Sequence, residues 1–187
     1  MGAGTTIYLI RHAHADWRDD DERPLTSAGV YAAQSVAARL ATRPIAALYT
    51  SPSRRSMETV EPLASRLGLP LEVVRDLRER ELPAVSVAEF DSFVQQAWND
   101  PHESPGGGES NVQAQVRGLA VVRAVVARHV GSQVVLATHG NLLALVLNAL
   151  DPSFGYEFWR RLSFPDIYQL TFDGLELRGV ERQWDAV

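Results

Sequence analysis

Residues 6–10 read Thr-Ile-Tyr-Leu-Ile and are followed directly by Arg11-His12-Ala13-His14. An apolar run rich in β-branched and aromatic residues predicts a buried strand, and the sudden charge predicts that this strand ends at a surface. In an open α/β sheet, ligands bind beyond the carboxyl ends of the strands. Arg11 and His12 are therefore expected to lie where the chain binds its ligand.

Two further segments repeat this arrangement. The apolar residues 133–138 run directly into His139 and Gly140, and glycine allows a backbone or a ligand to approach closely. Residues 51–55, Ser-Pro-Ser-Arg-Arg, follow a predicted strand and open a predicted helix, whose N-terminal N–H groups favour an anion. Because guanidinium groups bind phosphate bidentately, Arg55 and the two strand-end histidines together predict a phosphate site.

The rest of the chain alternates short apolar strands with amphipathic helices, which predicts a largely parallel sheet covered on both faces. Thr26 is expected to cap the first helix. Apolar stripes are expected on two helices, at Val30, Ala33, Val36, Ala37 and Leu40, and at Val112, Val116, Leu119, Val122 and Val126. A hairpin that turns at Asp173-Gly174 is expected near the end. We therefore predict a single domain over residues 1–187, a three-layer α/β/α sandwich with a mostly parallel central sheet.

Composition excludes several kinds of chemistry. The chain contains no cysteine, so disulfides, thiolate zinc sites and cysteine nucleophiles are excluded, and its 18 basic residues are all arginine, which excludes a Walker-type lysine. Arginine in place of lysine is typical of a GC-rich genome, and we expect a bacterial source. With a formal charge of −5, the chain has no overall excess of basic residues that would favour binding of nucleic acid. With no apolar run long enough for a membrane span and no signal peptide, we expect a cytoplasmic protein without a membrane partner.

Six segments in chain order carry a resemblance to a known family: Arg11-His12-Ala13, residues 23–29, residues 51–59, Leu77-Arg78-Glu79, residues 105–110 and Thr138-His139-Gly140. They resemble the R-H-G/A, P-L-T-x-x-G, S-P-x-x-R-x-x-Q-T, L-x-E, P-G-G-E-S and second-histidine segments of the histidine phosphatase superfamily. The resemblance implies a phosphoglycerate-mutase-like fold. It also implies hydrolysis of a small phosphorylated metabolite through a covalent phosphohistidine.

The resemblance implies a role for each matching residue. His12 is the expected nucleophile and Glu79 the expected proton donor. Arg11, Arg55 and His139 are the expected ligands of the phosphoryl oxygens, and Gly140 is expected to take part in binding the substrate phosphate. The remote ring nitrogen of His12 is expected to keep its proton through a backbone carbonyl, so that the attacking nitrogen carries the lone pair. Neither a metal nor another cofactor is implied, because arginines supply the positive charge.

The chain also departs from the family pattern. Arg18 stands where many members have a phosphate-binding asparagine, and we expect it to favour substrates with a second anionic group. The chain is short and lacks the glycine of the mutase E-R-x-x-G segment, which favours a phosphatase over a mutase. Glu81 would face the same side as Glu79 on an extended segment, and only the resemblance selects Glu79. Residues 80–108 are expected to form a lid or substrate wall.

Three other functions stay open at the level of sequence. Phosphotransfer of the mutase type is one, and a non-catalytic protein that binds a phosphorylated metabolite is another. The third is a metal-dependent hydrolase, because His12, His14 and Asp16 also resemble an H-x-H-x-D metal-binding segment. The sequence predicts neither the substrate nor the oligomeric state.

Overall fold

A computed structural model describes residues 4–16, 22–83, 87–104 and 106–185. The strands are β1 (Thr5–Arg11), β2 (Ile45–Thr50), β3 (Leu71–Val73), β4 (Gln133–Thr138), β5 (Asp166–Asp173) and β6 (Glu176–Arg182). The helices are α1 (Ser27–Leu40), α2 (Arg54–Leu67), α3 (Val87–Asn99), α4 (Asn111–Arg128), α5 (Gly140–Leu150) and α6 (Tyr156–Arg160). A short 3₁₀ turn spans Arg75–Leu77.

The strands form one sheet in the order β3-β2-β4-β1-β5-β6. The first four strands of this order are parallel to one another, and β5 and β6 are antiparallel additions at one side. In the β1–β4 pair, Arg11 lies opposite Thr138, so both strands reach their carboxyl ends at the same level. The mixed α/β fold and the mostly parallel sheet expected from the sequence are confirmed.

The sheet separates two apolar cores. Ile7 and Leu9 of β1 pack in a cluster with residues of α4 and α5, whereas Tyr8 and Ile10 pack on the opposite face with residues of α1 and α2. Alternate residues of a strand point to opposite faces, which explains this division. The predicted three-layer arrangement follows from it.

Local signals in the sequence fix several element ends. Thr26 caps α1 by accepting a hydrogen bond from the Gly29 backbone N–H at 3.2 Å. Gly68 ends α2 in the left-handed conformation at φ 65°. Gly174, at φ 58°, turns the β5–β6 hairpin at the predicted place.

The predicted apolar stripes are wrong at two valines. Val30 of α1 is 52% exposed and Val116 of α4 is 66% exposed. The face that α4 buries instead includes Ala114 and Gly118. The reason is the close approach of α5: a Cβ on Gly118 would lie 2.6 Å from Val146 Cγ2, so only very small residues fit at this contact.

The segment 80–108 contains α3 and begins with a buried anchor. Arg80 is 2% exposed and donates a hydrogen bond to Asn111 Oδ1. Val94 and Ala97 of α3 are fully buried, so this helix packs against the protein along one face. Its expected role as a lid or substrate wall stays a prediction. In the described part of the chain, no helix combines the length and apolar character needed to cross a bilayer.

Candidate active site

The two strand-end histidines meet beyond the sheet. His12 directly follows β1, and its backbone N–H donates to the carbonyl oxygen of Thr138, the last residue of β4, at 3.0 Å. His139 directly follows β4, and the centroids of the two imidazole rings are 5.2 Å apart. Both side chains are buried, at 5% exposure for His12 and 0% for His139. The pairing of β1 with β4 therefore builds the centre of the site.

His12 is held in one tautomer. Its Nδ1 lies 2.7 Å from the carbonyl oxygen of Ala13, and because a carbonyl can only accept a hydrogen bond, Nδ1 carries the proton. The Ala13 backbone is itself fixed, since its N–H donates to Thr59 Oγ1 at 2.9 Å. Burial holds the pKa of His12 well below its ordinary value; the Ala13 hydrogen bond opposes this shift, and the nearby arginines add to it. The ring is thus neutral, with the lone pair on Nε2.

The guanidinium of Arg11 packs closely against Phe164 and Gly140. Its Cζ lies 3.3 Å from the centroid of the Phe164 ring, and a Cβ on Gly140 would approach its Nε to 2.9 Å. Its Nη1 donates to the carbonyl oxygen of Leu162 at 2.8 Å. Burial lowers the pKa of Arg11 to about 10, so the group still carries its charge at neutral pH. Gly140 was expected to let a backbone or a ligand approach closely. The group that approaches it in the structure is the Arg11 side chain.

His139 orients the second arginine. Arg55, the second residue of α2, is 3% exposed, and its Nη2 donates to Nδ1 of His139 at 3.1 Å. The proton of the neutral ring then sits on Nε2, which lies 2.7 Å from Ser51 Oγ. Burial holds the pKa of His139 well below its ordinary value, and His12 and the arginines lower it further. Both ring nitrogens have protein partners, so a direct bond from His139 to a phosphoryl oxygen requires exchange of the Ser51 contact.

Glu79 caps the helix that follows His139. Its Oε1 accepts from the backbone N–H of Leu142 at 3.0 Å, and its Oε2 accepts from that of Asn141 at 3.2 Å. Helix α5 has no cap hydrogen bond from its own N-cap side chain, so the Glu79 carboxylate satisfies N–H groups that the helix start leaves open. Glu81, by contrast, is exposed. The structure therefore places the Glu79 carboxylate at the start of α5, just after His139, and near enough to Arg11 for its charge to raise the pKa of that arginine.

Three residues near the site received no role from the sequence. The charge of half-buried Arg23 lowers the pKa of both His12 and His139, which places a third arginine near the imidazoles. Its position just before the Pro-Leu-Thr helix start was a signal that could have identified it. Ser51 and Phe164 are the other two, and no periodicity or spacing in the sequence indicated that Phe164 would reach Arg11.

Two expectations concern residues outside this cluster. Arg18 lies outside the described residues, so its preference for a second anionic group stays a prediction. His14 is exposed, and its Nδ1 lies 3.1 Å from Thr26 Oγ1. Among residues 4–16, 22–83, 87–104 and 106–185, no three His, Asp or Glu side chains come together as a metal site would require. Within these residues, His12, His14 and Asp16 do not form the ligand set that a metal hydrolase needs.

Comparison with known proteins agrees with this geometry. Residues 7–181 match the family described as the histidine phosphatase superfamily, branch 1. The chain belongs to this superfamily. Because the match spans nearly the whole chain, the family expected from the six segments is confirmed.

Several named proteins are similar to this chain in sequence or in fold. A metal-independent phosphoserine phosphatase of Arabidopsis thaliana is 29% identical over 160 residues, which cover 76% of this chain and 67% of the relative. A probable phosphoglycerate mutase of Photorhabdus laumondii is 27% identical over 158 residues, covering 77% and 74%. The structure of a mycobacterial glucosyl-3-phosphoglycerate phosphatase superposes with a TM-score of 0.78 at 26% identity and covers 98% of this chain and 100% of its own.

Proposed function

We propose that this chain is a phosphomonoesterase that works without a metal ion and forms a covalent phosphohistidine on His12. The observation that carries the proposal is the fixed tautomer of His12. The 2.7 Å contact from Nδ1 to the Ala13 carbonyl leaves the lone pair on Nε2, and burial keeps the ring neutral. A neutral imidazole with a fixed lone pair, surrounded by guanidinium groups, suits attack on a phosphorus atom.

In the first half of the reaction, Nε2 of His12 attacks phosphorus in line. The N–P bond forms as the ester P–O bond breaks, and the leaving oxygen takes a proton from Glu79. Arg11 and Arg55 hold the phosphoryl oxygens and stabilise the charge that develops on them. Since Glu79 contacts the N–H groups of α5, this step requires its carboxyl group to turn towards the leaving oxygen.

In the second half, the Glu79 carboxylate takes a proton from water. The water oxygen attacks phosphorus, the N–P bond breaks, and inorganic phosphate leaves with His12 neutral again. The positive charges of the arginines do the work that a metal ion performs in other phosphatases.

The substrate that we propose is a small phosphorylated metabolite. Support comes from relatives named as phosphatases of phosphoserine and of glucosyl-3-phosphoglycerate, and from arginines clustered at one buried site. The cytoplasmic location expected from the sequence stays a prediction.

Rapid-quench kinetics with p-nitrophenyl phosphate test the proposal. The wild-type protein should form an acid-labile phosphoenzyme, should keep its activity in EDTA, and should be inhibited by vanadate. His12→Asn should abolish both turnover and phosphoenzyme, whereas His14→Asn, which alters an exposed neighbour, should leave both intact. A phosphoenzyme in His12→Asn, or activity lost in EDTA and restored by zinc, would overturn the proposal.

The same samples separate the two remaining alternatives. Transfer of the phosphoryl group from the phosphoenzyme to an added phosphoglycerate, faster than to water, would indicate a mutase. Binding of inorganic phosphate without turnover of any ester in a metabolite panel would indicate a non-catalytic protein.

A further inference from the structure

The loop that carries Glu79 is held by a side chain from a distant helix. Nη1 of Arg117, in α4, donates to the carbonyl oxygens of Asp76 at 2.7 Å and Arg78 at 2.9 Å, and Nη2 donates to that of Glu79 at 3.1 Å. Arg117 also meets both carboxylate oxygens of Glu109, through Nε at 2.6 Å and Nη2 at 2.7 Å. These bonds occupy all five N–H donors of the guanidinium group.

Glu109 holds the other side of the same loop. Its backbone N–H donates to the carbonyl oxygen of Glu81 at 2.9 Å, and its Oε2 accepts from the Glu81 N–H at 3.3 Å. The Glu109 and Arg117 side chains are only 10% and 11% exposed. Burial acts to raise the pKa of Glu109, but the pairing with Arg117 outweighs it and holds that pKa below its ordinary value. The ion pair between Arg117 and Glu109 therefore holds the backbone on both sides of Glu79.

Helix packing fixes the position of this ion pair relative to the active site. Gly118, the next residue after Arg117, lies so close to α5 that a Cβ there would be 2.6 Å from Val146. The start of α5 in turn receives the Glu79 carboxylate. In addition, Thr138, the last residue of β4, donates through Oγ1 to the Leu77 carbonyl at 2.7 Å. The carbonyls of Asp76, Arg78 and Glu79 are thus tied to α4, which packs on α5, and that of Leu77 is tied to β4, which leads directly into His139.

We infer that Arg117, paired with Glu109, is a positioning residue for the proton donor Glu79. Its bonds set where the Glu79 backbone stands relative to α5 and His12, while it contacts neither of the phosphate-binding arginines in the structure. A catalytic group displaced by about 1 Å loses roughly 10²-fold in rate. Arg117 therefore controls proton donation and water activation, and leaves phosphate binding unchanged. This inference rests on the proposed function.

Leaving-group dependence is the readout that tests it. An alkyl leaving group needs a proton, whereas p-nitrophenolate leaves with little help, so Glu79→Gln should slow phosphoenzyme formation from glycerol phosphate by about 10²–10⁴-fold and only mildly from p-nitrophenyl phosphate. Arg117→Met, which removes the five donors at similar length, should reproduce this pattern at about 10²-fold. The inhibition constant of inorganic phosphate should stay within about twofold of wild type. Arg123→Met, at an exposed position of the same helix, is the matched control and should change nothing.

A double variant makes the test stricter. If Arg117 acts through Glu79, adding Arg117→Met to Glu79→Gln should cause no further loss of phosphoenzyme formation from glycerol phosphate. Equal losses on both esters, or additive losses in the double variant, would overturn the inference. Should Arg117→Met fail to fold, the isosteric Glu109→Gln variant should show the same leaving-group dependence with a smaller loss of rate. If Glu109→Gln shows no leaving-group dependence, the inference is overturned. Wild-type protein that forms no phosphoenzyme would instead contradict the proposed function.

Discussion

Gly140→Ala should damage the active site through Arg11. A Cβ at this first position of α5 would lie 2.9 Å from Nε, 3.0 Å from Cζ and 3.1 Å from Nη2 of Arg11. Carbon atoms in ordinary contact are about 3.5–4.0 Å apart, so the added methyl group must push the guanidinium away by about 0.5–1 Å.

Other contacts already hold the Arg11 guanidinium. The Phe164 ring lies 3.3 Å from Cζ, and Nη1 is tied to the Leu162 carbonyl at 2.8 Å. A displacement of about 1 Å at a reacting group costs roughly 10²-fold, and loss of one charge-stabilising donor costs about 10²–10³-fold. We therefore expect kcat/KM to fall by about 10- to 100-fold, or ~1.4–2.7 kcal/mol of transition-state stabilisation.

The assay is hydrolysis of p-nitrophenyl phosphate, with inhibition by vanadate and thermal unfolding measured on the same preparation. Vanadate inhibition should weaken with kcat/KM, because both depend on Arg11. The melting temperature should not fall in proportion, since alanine is favoured over glycine in a helix by about 1 kcal/mol. Gly179→Ala in β6 is the matched control, because a Cβ there meets nothing within 4 Å.

Two results would refute this reasoning. Activity of Gly140→Ala within twofold of wild type would mean that the guanidinium need not lie against residue 140. A loss of activity explained by an equal loss of folded protein would mean that the methyl group disturbs the helix rather than Arg11.

Four further predictions concern His12, Phe164 and α4. Imidazole ¹H–¹⁵N spectra at pH 6 should show His12 as the neutral Nδ1–H tautomer, because burial holds its pKa well below the ordinary ~6.5, and a charged ring would contradict this. The unfolded chain then binds more protons than the folded chain below about pH 6.5, so His12 should make the free energy of unfolding fall as the pH drops through that range in urea titrations. Phe164→Leu removes the ring face against Arg11 and should lower kcat/KM about 2- to 30-fold, equally for aryl and alkyl esters, as expected for a contact of ~0.5–2 kcal/mol. Unchanged activity would disprove it. In urea unfolding, Val116→Glu should change the free energy of unfolding by less than about 0.5 kcal/mol, and Gly118→Ala should lower it by about 1–3 kcal/mol. A larger loss in Val116→Glu than in Gly118→Ala would instead support the buried face predicted from sequence.

Much of the site could be predicted because it depends on strand ends. The abrupt changes from apolar to charged residues at Arg11 and His139 marked the ends of two buried strands, and parallel strands share one carboxyl edge. The structure does bring His12, His139, Arg11 and Arg55 together, although their individual roles stay predictions. The strand order, which makes β1 and β4 direct neighbours, was not visible in the sequence.

The buried face of α4 shows where sequence periodicity is insufficient. Valines at helical spacing favoured the stripe through Val116, because apolar content is the usual signal of a buried face. Helix α5 lies so close to α4 that only small residues fit between them. Gly118 and Ala114 therefore form the buried face, and Val116 is left exposed to solvent. How closely two helices approach depends on both partners, and one helix pattern cannot report it.

The sequence by itself determined most of the helices and strands, the Thr26 cap, the turn at Gly174 and the charged residues that stand at the strand ends, because these depend on neighbours within a few positions. Only the tertiary structure decided what those residues touch. It placed the Glu79 carboxylate on the start of α5 and left Glu81 exposed, and it brought Arg117 to the Glu79 loop and Phe164 to Arg11 from distant positions. Such contacts come from packing between elements far apart in the chain, for which local sequence patterns carry no signal.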